Sequence, residues 1–347
     1  MRAQWNIRCL VIAAHLAVLL LLFDSAQAQK LPRSVTLGTN PPGTVFYSLA
    51  SGLANVASAA TPIQVVVQPY TGTSTLLPLA DSGELDFGIV NAVEMALSYQ
   101  GPARLKVGGR NPFPHTPNIR LVMRGAPLLV GLLVKKDSSL KSIHDIKGRR
   151  VTGEYPANLA IWNHMFGHLA SAGLNWNDVK VVPVPAVNEG VDALVQGRAD
   201  VSQHALNAAK VREADAAVGV RHISSDCSPE GEKRLRRAVP GYYPRIVKAG
   251  TAPAVVEDTC MIAYDVYFLT HKAANEQVVS TVLKGIWDNV EKLPPLHPQF
   301  NEWTRERAAS ADVTIPYHPA AIQFLKERGV WSAKIEETQG KLLALNR

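Results

Sequence analysis

The chain has 347 residues, and its 36 Lys+Arg against 29 Asp+Glu give a formal net charge of +7. Hydrophobic residues make up 47% and charged residues 19%, a globular balance that excludes an intrinsically disordered chain. The length predicts about two domains, and the dispersed basic residues predict no nucleic-acid partner.

The N-terminal 28 residues have the three parts of a secretory signal peptide. Arg2 and Arg8 precede an apolar run over residues 9–23, and the small-x-small sequence Ala26-Gln27-Ala28 follows it. The run is shorter than the ~20 residues that span a bilayer, which argues against an uncleaved anchor. We predict export and cleavage after Ala28.

Two cysteines, Cys227 and Cys260, remain after that cleavage. An oxidising compartment permits a disulfide between them. Since the sequence does not give the distance between their Cα atoms, a disulfide and two buried free thiols are both open.

From Val35 onward, short strands alternate with amphipathic helices. In the first part, the hydrophobic pattern predicts strands at 35–39, 63–70 and 85–90, and helices over 46–56, from a cap at Thr75, and from Asn91. This order predicts parallel strands, because each helix carries the chain back over the sheet. Two further strands, 118–124 and 128–135, have no helix between them.

The alternation then starts again in a second part of the chain. It predicts helices over 140–146, 158–172, 188–196 and 207–217, and strands at 150–154, 179–184, 199–203 and 220–224. An extended return crossing at 255–270 precedes helices over 275–292, 299–309 and 319–329. We therefore predict two α/β lobes, each a largely parallel sheet flanked by helices. Lobe one comprises 29–125 plus 263–347 and lobe two comprises 126–262, with a ligand cleft between them.

Three strand-to-helix turns in lobe one carry small neutral side chains with hydroxyl or amide groups. Together with free helix N-terminal N–H groups, they can hold a carboxylate or a similar anion. The same residue types cap helices without any ligand, which is the alternative. Since the turns converge on one sheet edge, we predict ligand contacts at Thr39, Asn40, Thr44, Thr73, Ser74 and Asn91, with Phe46 and Tyr47 as walls.

The corresponding turns of lobe two add Glu154, Tyr155, Asn158 and His204 as candidate ligand contacts. Glu154 and His204 are the ionisable acidic and basic residues in these turns. They can receive a ligand ammonium and a polar group, or pair with each other.

No enzyme motif is present: there is no Gly-x-Ser-x-Gly elbow, no His-Glu-x-x-His and no Walker loop. We predict neither catalysis nor a cofactor. His164 and His168 have metal-ligand spacing on a helix but lack a third ligand, so we predict no metal and a packed or solvent-facing helix turn. An exported hydrolase with Glu154 or His204 as base is a distant alternative.

Three motifs carry a family resemblance. The segments GTNPPGTVFY (38–47), TGTS (71–74) and SGELDFGIV (82–90) resemble the TAXI family, the extracytoplasmic solute receptors of tripartite (TRAP) transporters. The likeness continues through 147–151, 193–200 and His297-Pro298. It therefore covers almost the whole exported chain.

The resemblance implies a two-lobed type II periplasmic-binding-protein fold in the periplasm. It also implies that the protein captures a small organic anion or amino acid and delivers it to an ion-driven TRAP permease. A receptor of an ATP-driven importer, which shares fold and compartment, is the alternative. The chain departs from the family at Thr44-Val45-Phe46, where the family has Gly-x-Tyr, and at 154–158, where the family has a Gly-Ser-Gly turn.

Overall fold

Ten strands and eleven α-helices make up residues 31–346, the part of the chain that this computed structural model describes. The predicted signal peptide lies outside these residues. The strands are β1 (Ser34–Thr39), β2 (Gln64–Pro69), β3 (Phe87–Asn91), β4 (Ile119–Lys135), β5 (Arg150–Glu154), β6 (Lys180–Val184), β7 (Ser202–Ala205), β8 (Val220–Ile223), β9 (Tyr243–Val247) and β10 (Thr259–His271). The helices are α1 (Val45–Ala60), α2 (Thr73–Ser82), α3 (Ala92–Gln100), α4 (Leu159–Ser171), α5 (Val187–Val195), α6 (Ala209–Val218), α7 (Pro229–Ala238), α8 (Glu276–Trp287), α9 (Arg305–Ala308), α10 (Pro319–Glu327) and α11 (Ala333–Ala344).

The first lobe is built on the parallel strands β2-β1-β3. Leu37 of β1 pairs with Val67 on one side and Phe87 on the other. Helix α1 buries Leu49 and Leu53, which are four residues apart and so lie on one helix face. The βαβ order predicted from the hydrophobic pattern is confirmed here.

Two long antiparallel strands, β4 and β10, connect the two lobes. Strand β10 pairs with β3 and β9, whereas β4 pairs with β7 and β8. Their shared register shifts between Asp265 and Tyr267, which makes a β-bulge opposite the segment 124–127. The prediction of two separate strands at 118–124 and 128–135 is therefore wrong: the chain bends at the bulge without leaving the sheet.

The second lobe combines the parallel pair β5-β6 with β7 and β8, and Val151 of β5 forms an isolated parallel bridge with Val201 just before β7. Strands of both lobes are flanked by helices, as predicted. Cys227 and Cys260 form a disulfide with an S–S distance of 2.04 Å and a Cα–Cα distance of 5.8 Å. Of the two open alternatives for these cysteines, the structure contains the disulfide.

Several predicted boundaries are wrong for local reasons. Helix α2 begins at Thr73, not after Thr75: Gly72 is its N-cap, and the hydroxyl of Thr75, the third helical residue, accepts the Gly72 N–H (3.4 Å). Pro78 consequently lies inside the helix. The predicted helix at 140–146 is only a 3₁₀ turn, Ile143–Ile146, and the strand predicted at 199–203 is β7.

Three elements escaped prediction: α7, β9 and α11. Helix α7 buries only Gly231 and Leu235, so it lacks the apolar stripe by which helices are identified. Within the described residues, no helix combines the length and apolarity needed to span a membrane.

Candidate functional site

A cavity lies where the carboxyl ends of the first-lobe strands meet the second lobe. The empty space in it, counted together with the part open to solvent, is about 410 Å³. The lining residues come from both lobes and from β4 and β10: Asn40, Thr44, Val45, Phe46, Glu94, Val130, Asn158, Ala160, Ile161, His164, Val187, Gln203, His204, Ala205 and Tyr264. Five predicted contacts are among them: Asn40, Thr44, Phe46, Asn158 and His204.

The turn after β1 supplies the first wall. The Thr44 hydroxyl caps α1, accepting the Tyr47 N–H (3.2 Å) and donating to the Pro41 carbonyl oxygen (2.7 Å). Asn40 is buried, and its Oδ1 has no partner among the described residues. Phe46 is buried against the cavity, whereas Tyr47 is half-buried and lies outside the lining.

The other predicted residues of lobe one lie outside the lining. Thr39 is fully buried, Ser74 is half-buried in the first turn of α2, and neither borders the cavity. Thr73 is buried and hydrogen-bonds through its side chain to the carboxyl of Glu94. Thr73 thus acts on the cavity wall through Glu94.

Asn91 positions a histidine rather than lining the cavity itself. Its Oδ1 accepts the Val93 N–H (2.7 Å), so its Nδ2 faces His164 Nε2 (3.2 Å) and donates to it. The ring proton of His164 is therefore on Nδ1, which has no partner among the described residues. Burial lowers the pKa of His164 to about 3, so the ring is neutral and offers one N–H donor.

Glu94 is the acidic residue of the lining. It is 2% exposed, and burial raises its pKa to about 8 against the lowering effect of Thr73. Its Oε2 has no partner among the described residues. No Lys or Arg side chain is among the residues that line the cavity.

In the second lobe, Asn158 and Gln203 present unused polar atoms. Asn158 precedes α4 without capping it, and both its Nδ2 and Oδ1 lack partners among residues 31–346. Gln203 donates through Nε2 to the Ile161 carbonyl oxygen (2.7 Å), which leaves its Oε1 free. Both side chains are at most 1% exposed.

His204 lines the cavity but uses both ring nitrogens on the protein. Its Nδ1 accepts the Ala205 N–H (2.9 Å), so Nε2 carries the proton and donates to Asn188 Oδ1 (3.2 Å). Burial lowers the pKa of His204 to about 4, so the ring is neutral. Asn188 Nδ2 continues the chain of hydrogen bonds to the Pro42 carbonyl oxygen (3.1 Å) in the other lobe.

Further contacts join the two lobes beside the cavity. The Lys210 N–H donates to the Gly43 carbonyl oxygen (3.2 Å). A Cβ added to Gly72 would lie 2.5 Å from the Ala157 carbonyl oxygen, so the two backbones approach closely there. The structure is therefore a closed arrangement of the two lobes.

Two residues of the turn after β5 do not line the cavity, contrary to the prediction. Glu154 is exposed and does not line the cavity, and Tyr155 is fully buried with its hydroxyl 2.6 Å from Thr152 Oγ1. Both have a positive φ, 68° and 50°, a conformation that glycine adopts without strain. This is the turn where the TAXI family has glycines.

Sequence reasoning missed Glu94, His164, Gln203 and Tyr264 as lining residues. The ring of Tyr264 stacks on His164 with centroids 5.0 Å apart. His164 carried a signal, its spacing from His168, but for lack of a third ligand the sequence predicted only a packed or solvent-facing helix turn there. Among the described residues, no group of three or more potential metal ligands is found.

One serine–histidine contact lies elsewhere. His168 Nδ1 is 2.6 Å from Ser225 Oγ, but His168 is fully buried and Ser225 is 6% exposed. Neither lines the cavity. The pair therefore lacks the substrate access that a nucleophile requires.

The sequence profile of the NMT1-like family matches residues 37–329. The chain belongs to the NMT1-like family. Two solved structures resemble this NMT1-like chain over nearly its whole length. A periplasmic transporter is 13% identical, covers 92% of this chain and 97% of its own, and has a TM-score of 0.53. The periplasmic binding protein BugD is 11% identical, covers 91% and 97%, and has a TM-score of 0.54. These similarities confirm the predicted periplasmic-binding-protein fold.

Proposed function

We propose that this protein is a periplasmic solute receptor that captures a small polar solute between its lobes and delivers it to a membrane permease. The observation that carries the proposal is a cavity lined from both lobes, several of whose buried polar atoms have no partner among residues 31–346. Each such atom costs about 1–3 kcal/mol when unsatisfied. A bound solute supplies hydrogen-bond partners for these atoms. When the solute leaves, water must supply them instead.

The finer assignment is to a TAXI receptor of an ion-driven TRAP permease, with an organic anion or amino acid as solute. Its support is the resemblance of 38–47, 71–74 and 82–90 to that family. The signal-peptide pattern and the Cys227–Cys260 disulfide favour the periplasm, because disulfides persist in oxidising compartments. Binding, not catalysis, is the proposed activity.

Solute capture requires the lobes to open, and we place the hinge at the bulge between β4 and β10. The proposed lobes remain 29–125 plus 263–347 and 126–262, so that the chain passes from one lobe to the other close to the bulge on both strands. At the bulge, Asp265 forms ion pairs of 2.6 Å with Arg124 and with Arg307. These ion pairs hold the crossing strands together while the lobes rotate about them.

The test combines a binding screen with a variant that blocks closure. Amino acids and organic acids are screened by thermal shift on the chain without its first 28 residues, because a solute that binds the folded form raises Tm. Gly72 has an extended φ of −176°, so Gly72→Ala leaves lobe one unstrained. In the closed arrangement, however, the new Cβ overlaps the Ala157 carbonyl oxygen.

We expect Gly72→Ala to weaken solute binding roughly tenfold or more, the cost of overpacking a close contact. Gly340→Ala, with no atom within 4 Å of the added Cβ, is the matched control and should bind like the parent. Small-angle scattering should show that solute compacts the parent but not Gly72→Ala. Solute binding without compaction, or equal affinity of Gly72→Ala and parent, contradicts capture by closure.

The energy source of the permease needs a separate measurement. Uptake of the bound solute by cells that express receptor and permease should stop when an ionophore collapses the ion gradient. Uptake that survives the ionophore but stops on ATP depletion would favour the ATP-driven importer.

A further inference from the structure

The cavity wall contains one carboxyl group, that of Glu94, with no Lys or Arg beside it in the described lining. Glu94 is the third residue of α3, and the side chain of Thr73 hydrogen-bonds to its carboxyl group. Its Oε2 is buried and without a partner among the described residues. Since no Lys or Arg lines the cavity, the ionised carboxylate could be neutralised only by a group that enters from outside.

The free hydrogen-bonding atoms around the cavity are mostly acceptors. Among the described residues, Asn40 Oδ1, Asn158 Oδ1 and Gln203 Oε1 lack partners, as does Glu94 Oε2. The Gln203 amide cannot turn without losing its donation to the Ile161 carbonyl oxygen, so its oxygen remains the free atom. A solute that satisfies the three amide oxygens must itself carry N–H or O–H donors.

Two donors complement these acceptors. His164 offers Nδ1–H, and Asn158 offers Nδ2. Both groups are neutral, so they can bind an oxygen of the solute without neutralising a full negative charge. A plain organic anion would therefore bury its charge with no cation in the lining to neutralise it, which desolvation opposes.

We propose that the solute carries a primary amine, and that Glu94 binds its ammonium ion while His164 and Asn158 bind an oxygen at its other end. An amino acid has both groups, and it is the class that the site favours. This inference rests on the proposed function and narrows the solute class: amino-bearing solutes bind, and their deaminated counterparts do not. It assigns the ammonium contact to Glu94 instead of the exposed Glu154.

The groups around Glu94 decide the proton balance of binding. His164 of α4 is neutral, and burial raises the pKa values of Tyr242 and of Tyr264 on β10, so none of them exchanges a proton near pH 7. Burial also keeps Glu94 mainly protonated in the empty site at this pH. An incoming ammonium favours the carboxylate, so each solute that binds releases up to one proton from Glu94 to the buffer.

The experiment is calorimetric titration of the unaltered exported chain at pH 7 in phosphate and in Tris, which differ in ionisation enthalpy. Each of the twenty amino acids is compared with its deaminated acid, such as alanine with propionate. We expect an amino acid to bind, its deaminated acid to bind roughly 10- to 150-fold more weakly, and the buffer dependence to show proton release. Because the parent protein is used, this result does not depend on any variant folding.

A matched pair of variants tests the residue. Glu94→Gln removes the charge and keeps the shape, and it should weaken amino-acid binding by a similar factor and abolish proton release. Glu189→Gln is the control. Glu189 is also the third residue of a nine-residue helix, α5, but its side chain is exposed, so this variant should bind amino acids and release protons like the parent.

Two results would overturn the inference and leave the receptor function standing. One is tight binding of deaminated acids with weak or no binding of amino acids. The other is amino-acid binding that Glu94→Gln leaves unchanged. If neither class binds and scattering shows no compaction with any of them, the proposed function fails and the inference with it.

Discussion

A buried glutamate with a raised pKa makes a sharp prediction about the stability of the unliganded protein. Burial raises the pKa of Glu94 from 4.5 to about 8. The folded chain therefore binds one more proton than the unfolded chain between these pH values. The stability associated with this proton is fully present below pH 4.5 and is lost as the pH rises through about 8.

The magnitude follows from the two pKa values. Each pH unit between them changes the free energy of unfolding by about 1.4 kcal/mol, so by pH 7 the parent has lost about 3 kcal/mol relative to a chain with a permanently neutral side chain at position 94. Glu94→Gln is that chain. We expect it to be about as stable as the parent at pH 4.5 and about 3 kcal/mol more stable at pH 7.

Urea denaturation of the unliganded parent and Glu94→Gln across pH 5–8 measures the difference. The comparison must be relative, because buried histidines act in the opposite direction: burial lowers the pKa values of His164 and His168 to about 3. Their stability is present above pH 6.5 and is lost as the pH falls, equally in both proteins. Glu189→Gln, at an exposed position, should follow the parent throughout. Parallel curves for parent and Glu94→Gln would refute a buried, protonated Glu94.

Two further predictions concern stability. Glu154 has a φ of +68°, so Glu154→Gly should raise the free energy of unfolding by about 0.5–1 kcal/mol, the relief of left-handed strain less the entropy of glycine; urea denaturation showing no gain would contradict this. The Cys227–Cys260 disulfide joins residues 33 apart, so reduction should lower the free energy of unfolding by about 3–4 kcal/mol in the chain-entropy model. A Cys227→Ala/Cys260→Ala double variant should be equally destabilised and insensitive to reductant, and a loss below about 1 kcal/mol would count against the entropic account.

Local sequence patterns were sufficient for most of the α/β framework. Both ends of strand β1 and the start of helix α1 were predicted within one residue, because their buried side chains recur at the strand and helix periods; the helix continues four residues past its predicted end, to Ala60. The bulge in β4 could not be predicted in this way. Gly125 looks like a turn residue, yet it lies in a strand because Trp303, far away in the chain, packs where its side chain would be.

The candidate site was predictable only where it depends on chain topology. Asn40 and Asn158 follow strands and His204 lies near the end of β7, and the carboxyl ends of parallel strands meet at one edge. Glu94, in the first turn of α3, and His164, in the middle of α4, lie on helix faces that usually contain core residues. Their place in the cavity depends on how α3 and α4 face each other across the lobes, which no local pattern encodes.

The two glutamates illustrate the limit most clearly. Glu154 follows a strand, where a ligand contact was expected, but its turn leaves the carboxylate in water, and an ammonium bound there would gain little over the solvent it displaced. Glu94 has the same charge, but burial removes that competition and leaves Oε2 without a partner. A buried charge must be neutralised by a proton or by a partner. In the empty cavity a proton neutralises Glu94, and in the occupied cavity we propose that the ammonium ion of the solute takes its place.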